Sequence, residues 1–373
     1  MTSKIITIIV VAILVLSLAA CGAPAADVVP ESPPPVVEPT PPPSESQPPP
    51  EPPLEPPQIE DIMVYPKTLQ DMAGREIVIE APVERLVSGF YISTSTIIAL
   101  QAADMLVGIE ARAADRPIYA LARPDLLNLP DVGTARDFNL EACLALEPDL
   151  VILPIRLRET ADVLDEMGIP VLLVNPESEE KLHQMIMLIA IATESKDRGE
   201  ELINYLQGEK KKINDIVDGI SEKPTVYISG VSSYLSAVGN EMYQAVLIEF
   251  AGGINAAYEI EGDSRQDISY EQLLAMNPEV FIIPPEASFD ITEVTENPEL
   301  KELEAVKTGR VYQMPSAFEA WDSPIPSSIL GIKWLLSVLH EDVYPIDEMR
   351  QAAFAFYKEF YDIEIDVNQI EIR

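Results

Sequence analysis

The chain of 373 residues carries 25 Lys and Arg against 62 Asp and Glu, a formal net charge of −37, with 34 prolines, 2 cysteines and 2 histidines. An acidic surface of this kind repels polyphosphate and anionic headgroups, which excludes nucleic-acid binding and an electrostatic hold on a membrane. Only His183 and His340 could offer imidazole, both on predicted helices, so a clustered zinc or manganese site is excluded as well.

In chain order, Lys4 is the one charged side chain ahead of an apolar run, Ile5 to Ala20, of 16 residues. That run suits a secretory signal and is short for a membrane span, so residues 1–20 are expected to be a signal peptide. It ends Leu18-Ala19-Ala20-Cys21, which resembles the bacterial lipobox and makes Cys21 the expected lipidation site. Residues 21–58 are then the lipidated cysteine and a Pro-rich stalk, with triplets such as Pro33-Pro34-Pro35 and no Lys or Arg. Such a segment cannot bury enough apolar surface to fold, and as extended polyproline II it reaches about 110 Å. With Cys21 used by the anchor, Cys143 stands alone and no disulfide within the chain is possible.

Residues 59–194 are expected to form an N-terminal lobe, 195–220 an inter-lobe helix and 221–373 a C-terminal lobe. Arg85 to Ser88 and Thr225 to Ser229 read as opening strands, each meeting a glycine, and Ser93, Thr94 and Ser95 as candidate caps of the helix after the first. Two segments then repeat: Asn139-Leu140-Glu141 through Pro148-Asp149 into an apolar strand and Pro154, and Ser269-Tyr270-Glu271 through Pro278-Glu279 into another and Pro284. Glu141 and Glu271, like Pro154 and Pro284, stand 130 positions apart. Each copy reads as a short helix, a proline and a buried parallel-type strand. Pro170 to Val174 and Arg310 to Met314 are expected as later strands. Between the halves, Leu202, Ile203, Leu206, Ile213, Ile216, Val217 and Ile220 recur at helical spacing, a helix of about 39 Å that Gly199 and Gly208 weaken. The fold class is α/β: two mostly parallel-sheet α/β lobes joined by a single long backbone helix, with a ligand cleft between the lobes.

These features, together with Asp71-Met72-Ala73-Gly74-Arg75, Ala251-Gly252-Gly253-Ile254-Asn255-Ala256, Ala305 to Tyr312, and Ser323-Pro324 ahead of a helix holding Gly331 and Trp334, make the chain from Val64 to Arg373 resemble a known family. It is similar to the substrate-binding proteins of ABC importers for ferric siderophores, haem and corrinoids. The resemblance implies a binding protein with no intrinsic cofactor, held at the outer face of the cytoplasmic membrane by its lipid anchor. Its partners would be a permease dimer with its ATPase. It also implies that Glu141 and Glu271 dock onto arginines of that permease, where a pseudo-twofold pair of carboxylates suits a twofold partner.

Ligands of open α/β lobes bind beyond the carboxyl ends of the strands. Loops predicted there hold Tyr91, Arg112, Arg136, Arg156, Tyr234, Arg265 and Trp321, arginines for carboxylates or catecholates and aromatic rings for flat apolar contact. The expected ligand is an iron(III) chelate, an anionic ferric siderophore in the first instance. Haem, with Tyr91 or Tyr234 as axial ligand, and a corrinoid are the alternatives. Corrinoid-binding members carry tryptophans near the positions of Arg136, Arg156 and Arg265, whereas here only Trp321 and Trp334 occur. An enzyme is not expected. There is no G-x-x-x-x-G-K-[ST] and no H-E-x-x-H, and Gly230 to Tyr234 lacks the closing glycine of a nucleophile elbow. An adhesion module is disfavoured by the duplicated lobes.

Overall fold

The computed structural model describes residues 64–262 and 264–372; the expected signal peptide, Cys21 and the stalk lie outside the described residues. Strands β1 (Lys67–Gln70) and β2 (Glu76–Ile79) open the described chain as an antiparallel hairpin. Its turn explains the Asp-Met-Ala-Gly-Arg motif. The buried Asp71 carboxylate accepts from the backbone N–H groups of Ala73 and Arg75 at 2.9 and 2.8 Å and from Arg75 Nε at 2.9 Å. Arg75 reaches on to Asp165 and to the Val171 carbonyl, both at 2.7 Å, which staples the hairpin to the lobe behind it.

That lobe runs β3 (Leu86–Ser88), α1 (Tyr91–Ala99), β4 (Leu106–Ile109), α2 (Pro117–Ala122), α3 (Leu140–Leu144), β5 (Leu150–Pro154), α4 (Arg158–Glu166) and β6 (Val171–Val174). Its sheet has the order β4-β3-β5-β6, all parallel. Helices α5 (Glu179–Ala192) and α6 (Lys196–Val217) follow, α6 being the long connecting helix.

The second lobe runs β7 (Thr225–Ile228), β8 (Ser236–Ala237), α7 (Tyr243–Phe250), β9 (Ile254–Asn255), β10 (Gln266–Asp267), α8 (Tyr270–Met276), β11 (Val280–Ile283), α9 (Ile291–Thr295), α10 (Glu304–Thr308) and β12 (Val311–Gln313). Strands β8 and β10 pair antiparallel, and the main sheet is β12-β11-β7-β9, all parallel. Taken in chain order within each lobe, both main sheets read second-first-third-fourth, the topology expected of a duplication. Helices α11 (Ser328–Leu339) and α12 (Ile346–Tyr361) close the chain.

The repeat has physical content at its most alike residues. Asp149 Oδ2 accepts from the N–H groups of Glu84 and Arg85, and Glu279 Oε2 accepts from the Thr225 N–H, so each acid caps the start of the neighbouring strand. Asn139 and Ser269 cap α3 and α8 by accepting from Ala142 and Gln272 backbone N–H groups. Burial is complete along β5 and β11, which is why neither strand shows a polar alternation.

One expected cap is corrected. Helix α1 begins directly after Phe90, with no side-chain cap, and Ser93, Thr94 and Ser95 lie buried inside it. Phe90 is extended and the helix starts at Tyr91, two residues before the first of those hydroxyl side chains, which therefore fall within its body.

Candidate functional site

In both sheets the first and third strands are neighbours, so the loops leaving β3, β5, β7 and β11 flank the switch points where α/β sheets open a crevice. From the first lobe, Tyr91 opens α1 and its phenol donates to Ser323 Oγ of the second lobe at 2.7 Å. Arg116, held just before Pro117 at the start of α2, lays its guanidinium over the Tyr91 ring, 4.2 Å from the centroid. Its Nη1 donates to Glu286 Oε1 at 2.6 Å, and Glu286 stands two residues beyond Pro284 in the loop after β11. The Ile118 N–H donates to the Phe318 carbonyl at 3.1 Å. Beside these cross-lobe contacts lies a cavity of about 260 Å³ lined by Tyr91, Ser95, Arg116, Glu286, Ser316 and Glu319, among others.

Three buried carboxyls surround this region. Thr94 Oγ1 and the Tyr119 phenol each donate to Glu110 at 2.6 Å, yet burial pushes the Glu110 carboxyl above its ordinary value. Tyr357 and Tyr361 donate to Glu319 at 3.1 and 3.2 Å, and burial again pushes the group up. Burial pushes Asp322 up to about 6, against the opposing pull of Arg265 and a contact from Gln244. Burial also raises the Tyr91 phenol to about 12, so it remains a neutral donor.

The residues expected from sequence divide by location. Tyr91 lines the cavity. Arg265 stands outside its lining, Nη1 donating to the Ser229 carbonyl at 2.8 Å and Nη2 standing 3.8 Å from Asp322 Oδ2. Arg156 is exposed beyond β5, its guanidinium carbon 5.8 Å from the Phe90 ring centroid. Arg112 has a left-handed backbone, φ 67°, and pairs with Asp115 at 2.7 Å, its side chain 79% exposed. Arg136 is exposed in a turn whose Thr134 Oγ1 accepts from Arg136 and Asp137 N–H groups. Tyr234 packs edge-on to Phe289, and its hydroxyl meets Tyr270 and Asn297, each at 3.0 Å. Trp321 is the correction: it is fully buried, its indole N–H donating to Tyr357 at 2.9 Å, and it offers no surface to a ligand. A tryptophan in a polar-looking loop is drawn inward here because Phe318 and Tyr357 give its large apolar area a dry partner. Glu141 and Glu271 are both exposed in the first turns of α3 and α8, at matching places of the two lobes. The N-terminal backbone of α8 and the Ser269 hydroxyl hold Glu271 below its ordinary value.

Sequence reasoning passed over Arg116, Glu286 and Ser316. The offset of 130 positions was a usable signal for one of them, because it maps Arg156 onto Glu286. Arg116 carried a weaker one, an arginine directly before a proline and four residues past Arg112.

The chain is similar to several known proteins. The molybdate-binding protein MolA of Haemophilus influenzae is 25% identical over 320 residues, 79% of this chain and 91% of that protein. The Fe(3+)-citrate-binding protein YfmC of Bacillus subtilis is 28% identical over 198 residues, 50% of this chain and 59% of that protein. The solved structure of MolA bound to molybdate superposes with a TM-score of 0.72 at 22% identity, covering 80% of this chain and 99% of that one, a likeness of fold. The sequence pattern of the periplasmic binding proteins matches residues 86–318, well over half of the chain, and this protein belongs to that family.

Proposed function

We propose that the protein captures a compact anionic solute between its lobes and delivers it to the permease of an ABC-type importer. It would do so tethered outside the cytoplasm through an acylated Cys21. The observation that carries this reading is the cavity of about 260 Å³ at the cleft, with Arg116 stacked on Tyr91 at its wall. That volume falls below the ~300–1,000 Å³ usual for drug-sized ligands, which favours a tetrahedral oxyanion or a small ferric carboxylate complex over haem or a corrinoid. Arginine, always charged and bidentate, is the side chain for either. Arg156 stands just past β5 and the Arg265 side chain reaches the Ser229 carbonyl just past β7, in a chain whose residues 62–373 hold 24 basic and 54 acidic side chains. The relatives that bind molybdate and ferric citrate support the anionic class, and ferric citrate keeps the iron(III) chelate within it. Among the described residues no helix is long and apolar enough to cross a membrane.

A thermal-shift series with molybdate, ferric citrate, haem and a cobalamin tests the solute class. A ligand at 100 times its dissociation constant stabilises by ~2.7 kcal/mol, an easily read shift. Molybdate or ferric citrate should raise the melting temperature, and Arg116→Ala should weaken that binding about tenfold or more. A shift with haem or the cobalamin alone overturns the compact-anion reading. The Glu141→Ala/Glu271→Ala pair should keep the thermal shift and lose uptake, while Cys21→Ala should leave the membrane fraction. A double variant with normal uptake removes the docking role.

A further inference from the structure

We propose that Glu286 is an internal competitor for Arg116: the second lobe supplies a carboxylate to the guanidinium of the first, latching the cleft mouth and excluding anions too weak to displace it. This rests on the reading that Arg116 meets the solute. The two side chains come from opposite lobes, 170 positions apart, and Nη1 and Oε1 lie 2.6 Å apart. They are 25% and 49% exposed, so the contact sits at a rim that a solute crosses rather than in the core. Both line the 260 Å³ cavity.

The backbone at Glu286 adds an independent observation. Its φ of 62° lies in the left-handed region, which a residue with a Cβ occupies at a cost and which glycine or asparagine occupies readily. The loop is held there from both sides, Gln313 Nε2 donating to the Pro284 carbonyl at 2.7 Å and the Ser288 N–H to the Val231 carbonyl at 2.8 Å. A glycine would fit this backbone better but would supply no carboxylate, and it is the carboxylate that reaches Arg116. Residues in such strained conformations gather at ligand clamps and switch regions.

Charge gives the third. Glu286 occupies the place in the second lobe that Arg156 occupies in the first, 130 positions earlier, so equivalent strand-end positions carry opposite signs. An anion entering the cavity meets the Glu286 charge, which is tolerable only while Arg116 neutralises it. To bind, the anion must displace Glu286 from the N–H donors of Arg116. An oxyanion or carboxylate chelate that offers two oxygens in parallel can do this, and a weakly basic monovalent anion cannot.

The test uses the full chain, spin-labelled at exposed positions on the two lobes, Val163→Cys and Tyr258→Cys, with Glu286→Gln and Glu286→Gly as variants. Without added solute, Glu286→Gln should broaden the inter-label distance distribution, and titrated molybdate or ferric citrate should bind about tenfold tighter, the scale of one charge-assisted hydrogen bond. Glu286→Gly, which also relieves the backbone, should tighten binding at least as much. Unchanged or weaker anion affinity in Glu286→Gln overturns the proposal, as does tightening by the glycine variant alone, which would make strain and not charge the agent. If neither anion binds the parent chain, the solute assignment has failed. The label distances alone then decide the latch, and distributions identical to the parent overturn it.

Discussion

Asp322 shows how much one side chain's surroundings decide. Its neighbour Trp321 is shut in the core, while Asp322 itself is 5% exposed and faces Arg265 and Gln244. Its folded value of about 6 exceeds the ~3.9 of an unfolded aspartate, so between those values the folded chain holds a proton that the unfolded chain has released. Stability from this group is therefore lost as pH rises from about 4 to about 6 and is level above that, a change of roughly 3 kcal/mol. Asp322→Asn should remove this slope, so its advantage over the parent should grow across that window and then stay constant. Urea midpoints at pH 4, 5, 6 and 7 read it directly, and parallel curves would show that Asp322 titrates normally. None of this was legible in the sequence, where Ala320-Trp321-Asp322 reads as a polar loop with a flat ring to offer. The direction each side chain takes is settled by Phe318, Tyr357 and Arg265, which are distant or poorly placed in any local window.

At the scale of elements much more was legible, because buried parallel strands are continuous apolar runs and β5 and β11 are bounded by prolines. The duplication was visible for the same reason: Asp149 and Glu279 cap neighbouring strands, and a position with one mechanical task tolerates few residues. What periodicity cannot distinguish is two glycines in one helix. Gly199 and Gly208 carry the same propensity penalty on α6, about 1 kcal/mol each against alanine. In three dimensions they are opposites. A Cβ on Gly199 would stand 2.6 Å from Ala190 Cβ where α6 crosses α5, whereas a Cβ on Gly208 would meet nothing within 4 Å. Gly208→Ala should thus stabilise by roughly 0.5–1 kcal/mol, and Gly199→Ala should destabilise by roughly 1–3 kcal/mol as the two helices are forced apart. Chemical denaturation of both single variants checks the pair, and equal effects would mean that the contact with Ala190 does not limit the packing.

For the whole molecule the question is whether the two lobes behave as separate bodies on a helical rod. The packing opposes that picture. Helix α6 is gripped by the first lobe through Leu202 and Gly199 against α5, and by the second through the buried pair Lys333–Glu209, 2.6 Å apart, on α11. Helix α12 then returns from the end of the chain. Phe356 and Phe360 pack against Tyr205 of α6, Arg198 lies over Phe360, and Tyr361 reaches toward the Ser95 carbonyl of α1. One continuous apolar cluster consequently includes Ile97 and Ile186 of the first lobe, Leu202 of the connecting helix, and Ile248, Trp334 and Phe356 of the second. Opening either lobe alone would expose the face it shares with the other, at about 25 cal/mol for each Å² of apolar surface, so a half-folded species has little to stabilise it. Unfolding should therefore be a single transition. Both tryptophans, Trp321 and Trp334, are buried in the second half of the chain, and Cys143 is a buried free thiol in the first. In a Cys21→Ser chain these become reporters of opposite lobes, indole fluorescence for one and thiol labelling for the other. Their urea midpoints should coincide. Cys143 becoming reactive at clearly lower urea than the loss of indole burial would mean that the lobes unfold separately, and that α6 and α12 connect them without coupling them.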